Sequence, residues 1–378
     1  MATLITESMD LVARARELWL SPDADMEEVE RLYRMVLADK EIAHPHGTSD
    51  NAFAVGYERL ALILCQSGRS KEVSSILGSL GYTCRLSSLV LDYPSILDSS
   101  TLPTPTEQQS KAKPPCHILD NFLTSDELKI LQDVFLDTDA SYWVDHNYQV
   151  EPPSPYFSYI IPLSKASDVF GFIGHIVLKC LHHLKSKFPH LNKATTVEMW
   201  AHNRPHASGH QMHFDSDNEG MGGVRNPVVS TILFLTEGTG GPSLVTNQKL
   251  AHGQLATMGW LSSSKEKRLV AFDGQVLHGV VPGKGCSGPG RRVTLMFAFW
   301  KKIKVREGGG AAQAFSNDNA AWAVSLKRDY SVDTEHDETP GPTEVEPFEV
   351  KPIYESLNGE AWSRDMGFPE YDKVFQGF

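Results

Sequence analysis

The sequence predicts a mainly β barrel or sandwich preceded by a small helical domain, and three observations predict it. From Thr195 to Ile303, short apolar runs (TVEMWAH, VVSTILFLTE, GPSLVTN, RLVAFDG, QVLHGVVPG, RRVTLMFAFW) alternate with Gly, Pro, Asn and Asp, the texture of closely spaced strands. From Glu7 to about Leu80, apolar residues instead recur three and four apart, as in Met26, Val29, Leu32, Tyr33 and Val36, which is helical spacing. Between the two textures, residues 99–115 hold prolines and polar residues without periodicity, a linker.

Taken in order, Asp25 is placed to cap the helix that begins at Met26. The run YERLALILCQSGRSKEVSSILGSLGY then gives an apolar helix, a turn at Gly68 and a second helix. That pair weakly resembles one tetratricopeptide unit, which leaves open a protein-partner surface or a packing role for the next domain. After the linker, HILDNFLTSDEL reads as a short strand and then Thr124 with Glu127 three residues on, the capping-box spacing that opens a helix. A further helix is predicted over Ser167–Lys187. The aromatic stretch containing Tyr142, Trp143, Tyr148, Tyr156, Phe157 and Tyr159 reads equally as a substrate lid or as a strand pair. Residues 307–378 form an acidic, proline-containing extension, expected to be partly irregular, although Trp322, Tyr330, Tyr354 and Trp362 suggest packing on the barrel. The domain plan is therefore 1–98 helical, 99–115 linker, 116–306 β domain and 307–378 extension.

A formal charge of −12 argues against general affinity for nucleic acid or an anionic membrane, and favours a small-molecule or protein side-chain substrate. The N-terminus lacks a signal-peptide core and no apolar run is long enough to span a bilayer, so the expected location is the cytoplasm. Cys65, Cys84, Cys116, Cys180 and Cys286 are scattered without CxxC spacing and read as reduced thiols.

The stretch GHQMHFDSDNEG places His213 and Asp215 one residue apart. With 15 His and 47 acidic residues in 378 positions, about two such triplets arise by chance. The other, His336 with Glu338, lies in the acidic extension and reads as solvated charge. Strand alternation aims His213 and Asp215 to one face, and QVLHGVVPG supplies His278 mid-strand among apolar neighbours. Two histidines and a carboxylate match the facial triad of non-haem Fe(II) oxygenases. Arg292 follows 14 residues after His278, with Thr294 on its face: a buried guanidinium suited to a carboxylate, with Arg291 as its rival if the strand is one residue out of register. His202, His206 and His210 read as loop residues at the mouth.

In these residues the sequence resembles the Fe(II)/2-oxoglutarate-dependent dioxygenases, and among them the prolyl 4-hydroxylase-like catalytic domains. The likeness runs over roughly 116–306: HILDNFLTSDEL, the paired glycines of TILFLTEGTGGPSLV and the distal-histidine hairpin RLVAFDGQVLHGVVPG occur in the family's order. It implies a double-stranded β-helix (jelly-roll, cupin-like) fold. It implies Fe(II) on His213, Asp215 and His278, these three being the catalytic residues, and 2-oxoglutarate on Arg292 and Thr294. O2 is the co-substrate and ascorbate an accessory reductant. The reaction implied is hydroxylation of an unactivated C–H bond, or desaturation by a second hydrogen abstraction, with release of succinate and CO2. The chain departs from the prolyl 4-hydroxylases in having Arg where they generally have Lys, and in lacking their co-substrate tyrosine, for which Trp200 and His202 are the nearest candidates. The alternative is a non-catalytic cupin-like scaffold acting through its helices. Every expected ligand lies after the linker, so residues 1–98 are expected to be dispensable for metal and co-substrate binding.

Overall fold

The computed structural model describes residues 2–21, 25–43, 51–95, 97, 114–148, 156–166, 171–217, 224–285, 290–304, 312–316 and 341–377. The strands, in chain order, are β1 (Cys84–Leu86), β2 (Cys116–Asp120), β3 (Tyr156–Pro162), β4 (Thr196–Pro205), β5 (His210–His213), β6 (Val229–Phe234), β7 (Ser243–Lys249) and β8 (Gly259–Ser262). They continue with β9 (Leu269–Asp273), β10 (Val276–Val280), β11 (Arg291–Trp300), β12 (Ala312–Ser316), β13 (Thr343–Val345), β14 (Phe348–Val350), β15 (Tyr354–Ser356) and β16 (Val374–Phe375).

Among the described residues the larger sheet runs β12-β3-β4-β11-β6-β9-β2-β13 and the smaller β14-β8-β7-β10-β5. From β4 to β11 the chain crosses repeatedly between the sheets, so that β4, β11, β6 and β9 stand as antiparallel neighbours in one and β8, β7, β10 and β5 in the other. This is the jelly-roll, or double-stranded β-helix, arrangement.

Strand alternation sorts the side chains into layers. Ile232, Phe234, Val270, Phe272 and Met296 of the larger sheet meet Val245, Trp260 and Val276 of the smaller in the inner core. Residues of opposite parity, such as Leu233, Leu269, Leu295 and Phe297, join a second core behind the larger sheet with the helices Ser125–Phe135 and Gly171–Leu184. Thr124 forms the capping box with Glu127, whose buried carboxylate also accepts from His175 and Lys179 of the second helix. Tyr142, Trp143, Phe157 and Tyr159 belong to this rear core, so these aromatics are packing residues and not a lid; Tyr156's side chain, like residues 167–170 of the expected Ser167–Lys187 helix, lies outside what is described.

The helices Ala2–Trp19, Met26–Ala43 and Asn51–Gln66 come before a 3-10 turn at Ser70–Val73 and the six-residue helix Ser74–Ser79, shorter than the helix pair the sequence suggested. Their apolar faces do not form a separate unit. Leu60, Leu64, Leu77 and Leu91 share one core with Met212, Leu244, Leu261 and Leu277 on the outer face of the smaller sheet. The C-terminal extension completes this layer: β1 lies between β15 and β16, and β14 pairs with β8. Tyr354 is buried there, while Trp322, Tyr330 and the His336 triplet lie outside the described residues. Cys65, Cys84, Cys116 and Cys180 are buried free thiols, and Cys286 lies outside the described residues. Among the described residues no helix is long and apolar enough to cross a membrane.

Candidate metal centre

β5 pairs with β10 so that His213 stands directly opposite His278, ring centroids 4.4 Å apart. β5 ends at His213, and Asp215 follows just beyond the strand rather than on it. Its Oδ1 nevertheless lies 3.5 Å from His213 Nε2 and 3.6 Å from His278 Nε2. Among the described residues these three form the one group whose potential ligand atoms all fall within 4.8 Å of one another.

The hydrogen bonds around them fix which atoms face inward. His213 Nδ1 lies 2.8 Å from Gln211 O and His278 Nδ1 3.0 Å from Val276 O. A carbonyl only accepts, so each Nδ1 carries a proton and each Nε2 is the nitrogen turned toward the shared point. Asp215 Oδ2 accepts from the Ser230 hydroxyl at 2.6 Å, and Asn226 Nδ2 donates to the Asp215 carbonyl at 2.7 Å. Burial opposes the charge on Asp215, but His278 and His213 outweigh it and hold the carboxyl well below its usual range. Two imidazole Nε2 atoms and a carboxylate, already oriented and converging, are a donor set that suits a divalent first-row metal, which would take the place of protons on those nitrogens.

Ser230 was not visible as a site residue, although its parity with the inward Ile232 and Phe234 was a usable signal: a hydroxyl on the core face of an apolar strand needs a partner.

The centre opens on a cavity of about 560 Å³ between the sheets. Arg292, Thr294 and Met296 of β11 line it, whereas Arg291 points away and donates to the side chain and carbonyl of Asn203. Arg292 is 3% exposed, sits over the Phe234 ring and donates to Ser243 Oγ at 2.9 Å. Among the described residues its Nε and the Thr294 hydroxyl have no partner. Burial, with Arg204 adding, pulls the Arg292 guanidinium down to about 9, the direction expected of a buried cation without a counter-anion. Gly240 makes room for it: a Cβ there, at φ +80°, would fall 2.5 Å from Arg292 Cδ, whereas one on Gly241 would fall 1.9 Å from the Val281 carbonyl, so the second glycine admits the neighbouring backbone.

Two of the three mouth histidines are placed differently from expectation. His202 lies on β4 and His210 opens β5, both lining the cavity, because the strands extend further than the Pro and Gly content suggested. Burial first pushes both rings well below the usual histidine range, with Arg204 and Arg292 adding at His202 and the neighbouring His213 adding at His210, so both are neutral. His206 is a turn residue that bonds Gly240 N and Lys284 O. Trp200 also lines the cavity, and its indole Nε1 donates to His202 Nε2 at 3.2 Å. The C-terminal extension reaches the centre as well: Gln376 Oε1 accepts from Met212 N, and Phe368 and Tyr371 wall a smaller cavity of about 270 Å³ that shares His213.

No protein-family model and no curated protein matches the chain. Among solved structures it is similar to a prolyl 4-hydroxylase from Pseudomonas putida (17% identity, 50% of this chain and 89% of that one, TM-score 0.31). It is also similar to iron-bound HygX from Streptomyces hygroscopicus (13%, 52% and 86%, TM-score 0.32). A third is a Trichoplax adhaerens prolyl hydroxylase in complex with a hypoxia-inducible-factor peptide (12%, 50% and 84%, TM-score 0.30). The chemistry of the site rests on this chain's own residues.

Proposed function

We propose that this protein is an Fe(II)- and 2-oxoglutarate-dependent dioxygenase that hydroxylates a C–H bond of its substrate. The observation that supports the reading best is the convergence of His213 Nε2, His278 Nε2 and Asp215 Oδ1, with tautomers set from behind, at the floor of a cavity walled by an arginine that lacks an anion.

Bound there, iron and 2-oxoglutarate would supply oxidation of an unactivated C–H bond with release of succinate and CO2. His213, His278 and Asp215 would hold the metal and leave the cavity side open, while Ser230 keeps Asp215 Oδ1 turned inward. Arg292 and Thr294 would take the far carboxylate of 2-oxoglutarate, giving the guanidinium a counter-anion and the hydroxyl a partner. Ile232 and Met296 give the cavity apolar lining, and apolar walls that exclude water strengthen the charge interactions within it.

Purified protein supplied with Fe(II), 2-oxoglutarate and O2 is expected to form succinate slowly by uncoupled turnover, and faster with one member of a panel of peptides and metabolites. No succinate under any of these conditions would remove the reading.

The anchor has its own test. Arg292→Ala is expected to retain metal but weaken 2-oxoglutarate binding at least about tenfold, since charge-assisted hydrogen bonds contribute roughly 1.5–3 kcal/mol each. Arg292→Lys should fall between, keeping charge without the fork, and Arg291→Ala should change the affinity far less. Calorimetric titration with Mn(II) in place of iron decides, and a larger loss in Arg291→Ala than in Arg292→Ala would refute the assignment.

A further inference from the structure

The larger sheet presents a two-by-two patch to the cavity. In the register of β4 against β11, His202 stands opposite Thr294 and Arg204 opposite Arg292, all four lining the same space. Each contributes a buried polar atom without a partner among the described residues: His202 Nδ1, Thr294 Oγ1, Arg204 Nε and Arg292 Nε.

The His202 atom is a donor. An indole N–H cannot accept, so Trp200 Nε1 fixes His202 Nε2 as the acceptor, and the neutral ring must carry its proton on Nδ1. Arg204, half-buried, has as its one hydrogen bond among the described residues a long contact of 3.5 Å to the Gly209 carbonyl.

The charges do not balance without ligands. Like charges directly opposite on adjacent strands repel, yet among the described residues two guanidiniums line the cavity with one carboxylate, Asp215, which is committed to the metal centre. A single far carboxylate on Arg292 and Thr294 satisfies the β11 half of the patch and leaves the β4 half unpaired. Apolar side chains, Ile232, Met296, Val224 and Leu250, share the lining of the same cavity.

We propose that the substrate is a carboxylic acid with an apolar body, its carboxylate held by Arg204 and His202 on β4 beside the co-substrate. This rests on the metal and co-substrate reading above and names the substrate class for the same site.

The test uses full-length protein loaded with Mn(II) and N-oxalylglycine, an unreactive analogue of 2-oxoglutarate. N-acetyl amino acids with apolar side chains, and the corresponding amides, are titrated in by calorimetry. The acids are expected to bind at least about tenfold more tightly than their amides, the difference made by charge-assisted hydrogen bonds to a guanidinium. Arg204→Met should bring the acids down to the level of the amides while changing 2-oxoglutarate affinity less than about threefold, and His202→Phe should act in the same direction to a smaller extent. Melting curves with bound metal check that both variants remain folded.

A tenfold or larger loss of 2-oxoglutarate affinity in Arg204→Met would overturn the proposal by assigning Arg204 to the co-substrate. So would wild-type protein that takes up N-oxalylglycine but does not separate acids from amides. Wild-type protein that binds neither 2-oxoglutarate nor its analogue would remove the underlying reading, and this proposal with it.

Discussion

A chain lacking residues 1–98 is expected to accumulate in the insoluble fraction. The deletion removes the helices that cover Met212, Leu244, Leu261 and Leu277, each at most 6% exposed, and takes away β1, which joins β15 to β16. Uncovering one large aliphatic side chain costs about 1.5–3 kcal/mol. Four together cost as much as the whole stability of a typical domain, about 5–15 kcal/mol. Polar ties are lost as well, since Gln66 Nε2 donates to the carbonyls of Pro282 and Gly283 just after β10. The measurement is the soluble yield and melting temperature of 99–378 beside the full chain. A soluble 99–378 chain melting within a few degrees of full length would contradict the shared core. The sequence-based expectation that these residues are dispensable for metal and co-substrate binding rests on where the ligands lie, with helices covering the barrel surface as the alternative that makes the truncated chain insoluble; Met212, next to His213, is itself in the shared core.

His278→Ala is expected to lose the metal. The imidazole is 4% exposed, its Nδ1 is fixed by Val276 O and its Nε2 points at Asp215, so the ligand atom it supplies is already in place. Changing a partner behind a ligand typically lowers metal affinity about 10–100-fold. Removing the ligand itself should exceed that, whereas Ser230→Ala, which only frees Asp215 Oδ2, should stay within it. Competition against a metal-binding dye measures both, and Fe(II) affinity within about threefold of wild type in His278→Ala would take the residue out of the centre.

Much of the site was legible because its signals are local. The His213 and Asp215 spacing, a histidine inside an apolar strand, and an arginine sharing parity with Thr294 each follow from period-two alternation. Of the paired glycines, read only as a family feature, Gly240 leaves the space Arg292 occupies and Gly241 admits the Val281 carbonyl. What stayed hidden depends on long-range register. That His202 and Arg204 stand opposite Thr294 and Arg292 requires the β4–β11 pairing, which no single strand specifies. The loop texture of NRPHASGH concealed that strands run through both of its ends. The aromatic stretch was ambiguous because a core strand and a lid carry the same residues, and only its position behind the larger sheet separates them. The route of the C-terminal extension to Met212 and His213 joins residues more than 150 apart and left no local mark.

The central claim is that one cavity holds a metal on His213, Asp215 and His278 and 2-oxoglutarate across to Arg292. Its most direct test is equilibrium binding of 2-oxoglutarate to the metal-free protein and to the same protein with one equivalent of Fe(II) under anaerobic conditions. The predicted result is binding that strengthens at least about tenfold with metal, together with loss of that gain in His278→Ala and of the binding itself in Arg292→Ala. Binding of 2-oxoglutarate that is indifferent to metal, or absent with metal present, would contradict it.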